Sequence, residues 1–362
     1  MKVLIVGYGK LKYMPYADFY LRNIDLLKND VHMVFWNRDL SEEYRKYQPV
    51  CYHEFKYRQE SDVPLYKKIH GFLKFKRFLK GVLKQENFDK LIVLHSIPAF
   101  LIYKQLLKKY AFKYIFDYRD YSYEKISFFK KRIKRLSDCS QITFTSSDAY
   151  RPFLSNSDDK VITSHNILLD DLHHRNYIKT EYKKVRISFW GLIRDVKINL
   201  AIIDKIGKDS RFELHYYGRI ENCAKELIDM VKKKDIQNVF FHGEYVPTDR
   251  YEFIKNTDLL HNLYKDINTM MAMGNKYYDG IIFRIPQLCT EDSFMGKRAT
   301  SSNVGLECDP YSDSFCEAIY NYFKLVYSKD NFKCFKESCD AELESILKEY
   351  YDGCTKIKAL FE

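Results

Sequence analysis

The chain has 362 residues, 46% of them hydrophobic and 30% charged, with a formal net charge of +11. That is enough chain for two domains of ordinary size, and the apolar content argues against a disordered polymer. No apolar run approaches the roughly 18–20 residues of a membrane-crossing helix, which argues against a helical membrane protein.

The charge is unevenly placed. Residues 1–170 carry 31 Lys and Arg against 19 Asp and Glu, whereas residues 171–362 carry 29 against 30. The first half is therefore expected to face something anionic. The nine cysteines (Cys51, Cys139, Cys223, Cys289, Cys308, Cys316, Cys334, Cys339, Cys354) are odd in number, scattered, and never spaced Cys-x-x-Cys. This argues against a disulfide framework or a zinc site and for reduced, small apolar side chains. The opening Met-Lys-Val-Leu-Ile-Val-Gly is too short for a signal peptide and reads as a first strand, so a cytoplasmic location is expected.

Residues 2–7 read as a buried parallel strand feeding the loop Gly7-Tyr8-Gly9-Lys10. A dinucleotide fingerprint fails here, because Lys12 stands where a third glycine is needed. Gly9 and Lys10 are candidates to line a substrate, although a tight turn alone also accounts for the glycines. A helix over 16–28, a strand over Val31–Trp36 and an irregular stretch over 40–62 follow. The pattern continues with helix 64–84, strand Lys90–Leu94, helix 98–109, strand 112–117, helix 123–136, strand 141–145, a helix from about 147 and a strand near 160–163. Such alternation predicts a doubly wound parallel sheet with functional residues at the C-terminal strand ends.

His95 and Asp117-Tyr118-Arg119-Asp120 fall at two of those ends. Asp120 is placed to accept or orient a substrate proton, and Arg119 to hold Asp120 or an anion. An Arg-Asp pair that only fixes the loop is the alternative. Two helices in this half combine apolar stripes with lysines: Phe72, Phe75, Leu79, Val82 and Leu83, then Ile126, Phe129, Ile133 and Leu136. A core stripe with a solvated basic face explains them, and so does a face lying on anionic lipid. No DNA- or RNA-reading motif accompanies the charge, so nucleic acid is not expected as a partner.

Residues 165–184 are polar, with the linker proper at 171–184; their adjacent His173-His174 lacks the i,i+4 spacing of a metal pair. A second alternating unit starts at strand Val185–Trp190 and runs through Gly191 and Arg194-Asp195-Val196-Lys197 into a helix reaching about 208. Strand Phe212–Tyr217 ends at Gly218, a helix covers 221–235, strand Val239–His242 ends at Gly243, and a helix lies around 248–256. After the short run Asp258–Leu263 come a helix opening at 275, strands 286–289 and 304–308, and helices over 311–350. In the segment Gly274-Asn275-Lys276-Tyr277-Tyr278-Asp279-Gly280, Asn275 is read as the N-cap and Tyr277, Tyr278, Ile281 and Ile282 as the buried stripe. Asn275 and Lys276 then stand at a helix N-terminus, where an anion is favoured, and Asp279 one turn in, where a carboxylate can take both hydroxyls of a ribose. A plain i,i+3 surface pair would explain Lys276 and Asp279 as well.

The segment resembles the donor-site helix of GT-B glycosyltransferases of family 4, where Asn-Lys-aromatic-x-Glu is followed by Gly-x-Pro. Asp279 stands at the family's ribose-binding Glu and Pro286 at its Pro, whereas Arg284 replaces Gly and Met271 replaces an earlier Glu. Gly191, Arg194 and Lys197 resemble the family's glycine and donor-diphosphate ligands, with Lys197 nearer to the Arg than is usual. Ser137-Asp138 to Ser146-Ser147, Ser164-His165-Asn166, and His242-Gly243-Glu244-Tyr245-Val246-Pro247 resemble further family segments in the right order.

The resemblance implies an α/β chain of GT-B type: two Rossmann-like doubly wound parallel-sheet domains facing a central cleft. An acceptor domain over 1–170 and a nucleotide-sugar domain over 185–345 are expected, with a helix over 346–362 packing back on the first. It implies a glycosyltransferase acting on a lipid-linked bacterial surface glycan at the inner membrane face. A UDP- or GDP-sugar would be the donor, without a metal or other cofactor and with retention. Gly9, Lys10, Gly191, Arg194, Lys197, Gly218, Tyr245, Asn275, Lys276 and Asp279 are its donor-side candidates. Asp120, Arg119, Arg194 and Lys197 are its catalytic ones, and His95, Asp117 and Glu124 its acceptor contacts. A sugar-nucleotide epimerase of GT-B fold and a non-catalytic, basic membrane- or polyanion-binding protein are the alternatives.

Overall fold

A computed structural model describes residues 1–60, 63–180 and 183–362. The chain forms two units: Met1–His165 with Lys348–Glu362, and Asn166–Leu347. Each is built on an all-parallel sheet sandwiched by helices.

Unit 1 carries seven strands: β1 (Lys2–Val6), β2 (Asp30–Asn37), β3 (Cys51–Lys56), β4 (Lys90–Leu94), β5 (Tyr114–Tyr118), β6 (Ile142–Thr145) and β7 (Val161–Thr163), in the order β3-β2-β1-β4-β5-β6-β7. The order reverses at β1, so the C-terminal ends of β1 and β4 flank a switch point, where open α/β sheets place their ligands. The apolar runs that mark β1 and β4 are buried on both faces.

The helix Leu65–Gln85 buries Phe75, Leu79, Val82 and Leu83, each worth roughly 1.5–3 kcal/mol when fully removed from water. Trp36 of β2 stacks on Phe75 at 5.3 Å. A Cβ on Gly71 of this helix would fall 2.9 Å from the Trp36 ring, so the glycine permits the close approach. Near the start of the helix Leu65, Tyr66, Ile69 and Leu73 stay exposed among lysines. The second stripe buries Phe129, Ile133 and Leu136 in the helix Ser127–Cys139, while Ile126 stays exposed just before it. The end of the last helix, Lys329–Phe361, belongs to this unit, where Tyr350 packs on Phe19.

Unit 2 carries β8 (Val185–Trp190), β9 (Phe212–Tyr217), β10 (Val239–Gly243), β11 (Leu259–Asn262), β12 (Gln287–Thr290) and β13 (Gly305–Cys308), ordered β10-β9-β8-β11-β12-β13. Its core joins Ile187 and Phe189 of β8 to Ile198, Ile202 and Ile206 of the helix Val196–Ile206.

Several expectations about elements need correction. The 40–62 stretch contains strand β3, a half-buried edge strand, and its residues 61 and 62 lie outside the described residues. The helix over 16–28 shrinks to Asp18–Leu21 after a 3-10 turn, and helix 98–109 breaks at Ile102 into Ser96–Leu101 and Tyr103–Lys108. Helices Ile267–Met271 and Phe294–Ser301 were not anticipated; the second supplies the crossover that parallel strands β12 and β13 require. The linker folds in part, as a 3-10 segment Leu169–His174, and its residues 181 and 182 lie outside the described residues.

Candidate active site

Unit 2 places its functional groups at the C-terminal edge of the sheet. Three neighbouring strands, β8, β9 and β10, end in Gly191, Gly218 and Gly243, with φ of +135°, +139° and +84°. These values suit glycine and strain any other residue. They let the chain fold back so that Gly191 N–H reaches Tyr217 O at 2.9 Å and Gly218 N–H reaches Gly243 O at 2.6 Å. A Cβ on Gly218 would lie 1.8 Å from the Gly191 carbonyl oxygen. Gly218→Ala is therefore expected to cost at least about 2 kcal/mol and to lower the melting temperature. A melt indistinguishable from wild type would refute the close approach.

Above this rim stands Lys276. It is the second residue of the helix Asn275–Ile282, whose N-cap is Gly274 rather than Asn275. Its Nζ lies 4.2 Å from the Phe189 ring centroid and 5.0 Å from that of Tyr264, and would be 3.7 Å from a Cβ on Gly191. Burial brings the ammonium down to about 8; Asp279 opposes the shift, Arg194 adds to it and Asp195 opposes it. Arg194 and Lys276 thus share one neighbourhood. Arg194, Lys197 and Asn275 are all exposed, with Lys197 on the first turn of the helix Val196–Ile206. Cations beside a helix N-terminus and a glycine rim suit a diphosphate.

Asp279 departs from expectation. It is 5% exposed, and both oxygens are taken. Trp190 Nε1 donates to Oδ2 at 2.7 Å and Arg250 Nη1 to Oδ1 at 2.8 Å. Arg250 also donates through Nη2 to both oxygens of buried Asp171, at 3.1 and 3.0 Å, and the Tyr251 hydroxyl donates to Asp171 at 2.9 Å. Burial raises the Asp279 carboxyl, while Arg250 and Trp190 hold the rise down. Each oxygen accepts one hydrogen bond within unit 2, and the surface-pair alternative fails because the carboxylate faces inward. Tyr245 lies near Arg250 and Asp279, its ring 5.2 Å from Phe253, and burial raises its phenol to about 12.

Unit 1 gathers a different group at the ends of β4 and β5. His95 has φ +74°, a conformation a non-glycine residue holds only when its surroundings impose it. Its Nε2 meets the Tyr16 hydroxyl. On its other side Nδ1 lies 3.3 Å from Asp120 Oδ2, in charge range but without hydrogen-bond alignment. The Tyr8 ring stands edge-on at 5.4 Å. Asp120 is the outward member, with half of its side chain exposed.

Four residues expected at substrate turn inward. Asp117 is fully buried and takes the Tyr20 hydroxyl at 2.8 Å and Arg119 Nη2 at 3.0 Å. Arg119 is buried with it and also donates to Ser164 Oγ at 3.1 Å, so it braces β5 against the end of β7. Glu124 is 3% exposed, accepts the Ser122 N–H and pins its own loop. Lys10 is also 3% exposed, because its ammonium is retained by Asp39 and by Glu43 at 2.9 Å. In each case a buried charge has been given a partner inside the unit, as burial demands. Gly9 gives its carbonyl to Trp36 N–H at 3.1 Å and packs against Met14, as a tight turn would.

Sequence reading missed Asp171, Arg250 and Trp190. Asp171 sat in an apparent linker, and its partner Arg250 lies 79 positions away. The only local signal was the doublet Asp170-Asp171 in a segment with no helix of its own.

No protein-family model matches the chain, and no curated protein matches it. Solved structures do match. A glycosyltransferase from Rickettsia africae ESF-5 is similar with a TM-score of 0.71 at 12% identity, over 100% of this chain and 98% of that one. HepE of Anabaena, in complex with UDP and glucose, is similar with a TM-score of 0.67 at 11% identity, over 99% of both chains. WaaG, a glycosyltransferase involved in lipopolysaccharide biosynthesis, is similar with a TM-score of 0.67 at 12% identity, over 98% of this chain and 99% of that one. The likeness is one of fold: two Rossmann-like units of the GT-B type.

Proposed function

We propose that the chain is a glycosyltransferase that takes a sugar from a nucleoside-diphosphate sugar held by unit 2. The observation that carries this reading is the positive-φ glycine rim with the Lys276 ammonium beside Gly191 and Arg194 in the same neighbourhood. The likeness to HepE, which holds UDP and glucose, supports a UDP-sugar ahead of a GDP-sugar.

In this reading Arg194, Lys197, Lys276 and the N–H groups at Asn275 and Lys276 bind the diphosphate. Chemistry breaks the bond from the sugar C1 to the diphosphate oxygen and forms one from C1 to an acceptor oxygen. The negative charge that grows on the leaving diphosphate is what these groups stabilise. The chain's own cations fill the part a divalent ion plays elsewhere. Retention of configuration is the expected outcome. On the acceptor side Asp120, the exposed member of its pair with His95, takes the hydroxyl proton. Arg119 and Asp117 hold that loop from beneath.

The acceptor is a glycan, and the fold shared with WaaG supports a lipid-linked surface polysaccharide. The exposed Leu65, Tyr66, Ile69 and Leu73, interleaved with Lys67, Lys68 and Lys74, suit a shallow seat on an anionic membrane. No helix among the described residues is long and apolar enough to cross one.

Calorimetric titration of UDP, UDP-glucose and GDP-mannose into wild type and Arg194→Ala tests the donor assignment. Binding that weakens about 10-fold or more in the variant is expected, in line with loss of a charged hydrogen bond. Equal affinity in both proteins would remove the donor site from this rim. Asp120→Asn is expected to keep donor binding and to lose transfer by about 100-fold or more.

A further inference from the structure

The adjacent strands β2 and β3 bring together three side chains that the function above does not use. His32 and Cys51 are direct register partners, and His53 lies two residues further along β3, on the same face as Cys51. His32 Nδ1 lies 2.8 Å from His53 Nε2, and Cys51 Sγ lies 4.0 Å from that same nitrogen. One ligand atom from each of the three falls within 4.8 Å of the others. His32 is buried, His53 is half-buried and Cys51 is exposed, so the cluster has a way in from solvent. A hydrogen-bonded imidazole pair would account for the two histidines, but it gives no role to the thiol beside them.

We propose that His32, Cys51 and His53 bind a zinc-class divalent ion that ties edge strand β3 to β2. Two imidazole nitrogens and a thiolate are the donor set such an ion favours. A tetrahedral ion with bonds of about 2.0–2.1 Å to nitrogen and 2.3 Å to sulfur needs the nitrogens about 3.4 Å apart and sulfur to nitrogen about 3.6 Å. The present spacings of 2.8 and 4.0 Å reach those values by side-chain shifts of roughly half an ångström, one opening and one closing, and the third pair, Cys51 Sγ and His32 Nδ1, within 4.8 Å of each other, closes by up to roughly 1.2 Å. The outer contacts fit as well. Asp30 Oδ1 lies 3.1 Å from His32 Nε2, the carboxylate behind a ligating imidazole that fixes which ring nitrogen is bare.

The Lys2 ammonium nearby is paired with Asp30 at 3.4 Å and Glu86 at 2.6 Å, so the surroundings carry no surplus positive charge. On binding, the Cys51 thiol releases its proton to solvent. The proton on His53 Nε2 is replaced, through solvent, by one on Nδ1, so both rings stay neutral. The fourth position is left to water. The site was invisible to a scan for cysteine spacing, because its ligands come from two strands and two residue types.

Cobalt(II) titrated into the chelator-treated full-length protein tests this. One ion per chain is expected, with a thiolate-to-cobalt charge-transfer band and tetrahedral d–d bands, both abolished by added zinc. Cys51→Ser should lose the charge-transfer band. His53→Asn should weaken binding by at least the roughly 10–100-fold that loss of an outer-shell partner costs. Cys223→Ser and Cys334→Ser, which change the other exposed thiols, should keep the band. Zinc should raise the melting temperature of wild type but not of Cys51→Ser. No band in wild type, a band that survives Cys51→Ser, or a band lost instead with Cys223 or Cys334 would each overturn the site.

Discussion

Replacing Arg250 with alanine should destabilise unit 2 by about 3–5 kcal/mol, the cost of breaking a buried ion pair by removing one partner. The guanidinium sits between two buried carboxylates, Asp171 at 2% exposure and Asp279 at 5%. Without it both charges stay in a poorly solvated wall, held only by Trp190 and Tyr251. Adding Asp171→Asn and Asp279→Asn to Arg250→Met should recover much of the loss, because neutral amides and an apolar side chain leave no uncompensated charge. Chemical denaturation of the four proteins decides it. A single variant within about 0.5 kcal/mol of wild type would place Arg250 among surface residues in energetic terms. A triple variant no better than the single would show that the damage comes from packing instead.

Lys276→Met should produce the second large effect, and in the opposite sense for stability. Its ammonium rests on aromatic rings and titrates at about 8, against about 10.4 in an unfolded chain. From pH 8 to about 10.4 the unfolded chain therefore holds more protons, and stability rises with pH across that window. Below pH 8 both states are protonated and the penalty is constant. Methionine removes the penalty and the slope together, so the variant should be at least as stable as wild type at pH 7.

Donor binding should move the other way. Loss of one charged hydrogen bond predicts about 10–100-fold weaker binding of the nucleoside diphosphate. In wild type the affinity should be flat below pH 8 and fall above it, as the free protein loses the proton that the phosphate needs. In Lys276→Met that fall should vanish. Unchanged affinity in a well-folded Lys276→Met would separate this residue from the donor.

The sequence pattern was most informative where burial is two-sided. Strands such as Leu91–Leu94 are continuous apolar runs that no surface segment imitates, and the two alternating units followed from them. β3 was lost because Cys-Tyr-His-Glu-Phe-Lys mixes polar and apolar residues, as a half-buried edge strand can. At the site, the pattern located Lys276 and Asp279 on the right turn but could not tell which side each would face. Asp279 turned inward because Trp190 and Arg250, far away in sequence, wait behind it. The same holds for Asp117 and Arg119, whose pairing with each other removed both from the surface.

Arg284 is a further case. It stands where the resembling family has Gly and takes φ +52°. Its fork on Asp340, at 3.0 and 2.8 Å, holds it in a backbone state that glycine would adopt freely.

The glycine rim beside Lys276 is peptide rather than side chain. Three neighbouring strands each close on a glycine, so at those three positions a bound anion would meet no side chain and could approach the backbone closely. Such a rim survives almost any drift in the rest of the chain, provided three small positions are kept. In the proposed donor site, discrimination between one sugar and another then falls to the loops around the rim, where Tyr245 and Asp195 stand. Exchanging those loops, with the glycines untouched, is the economical way to redirect the donor.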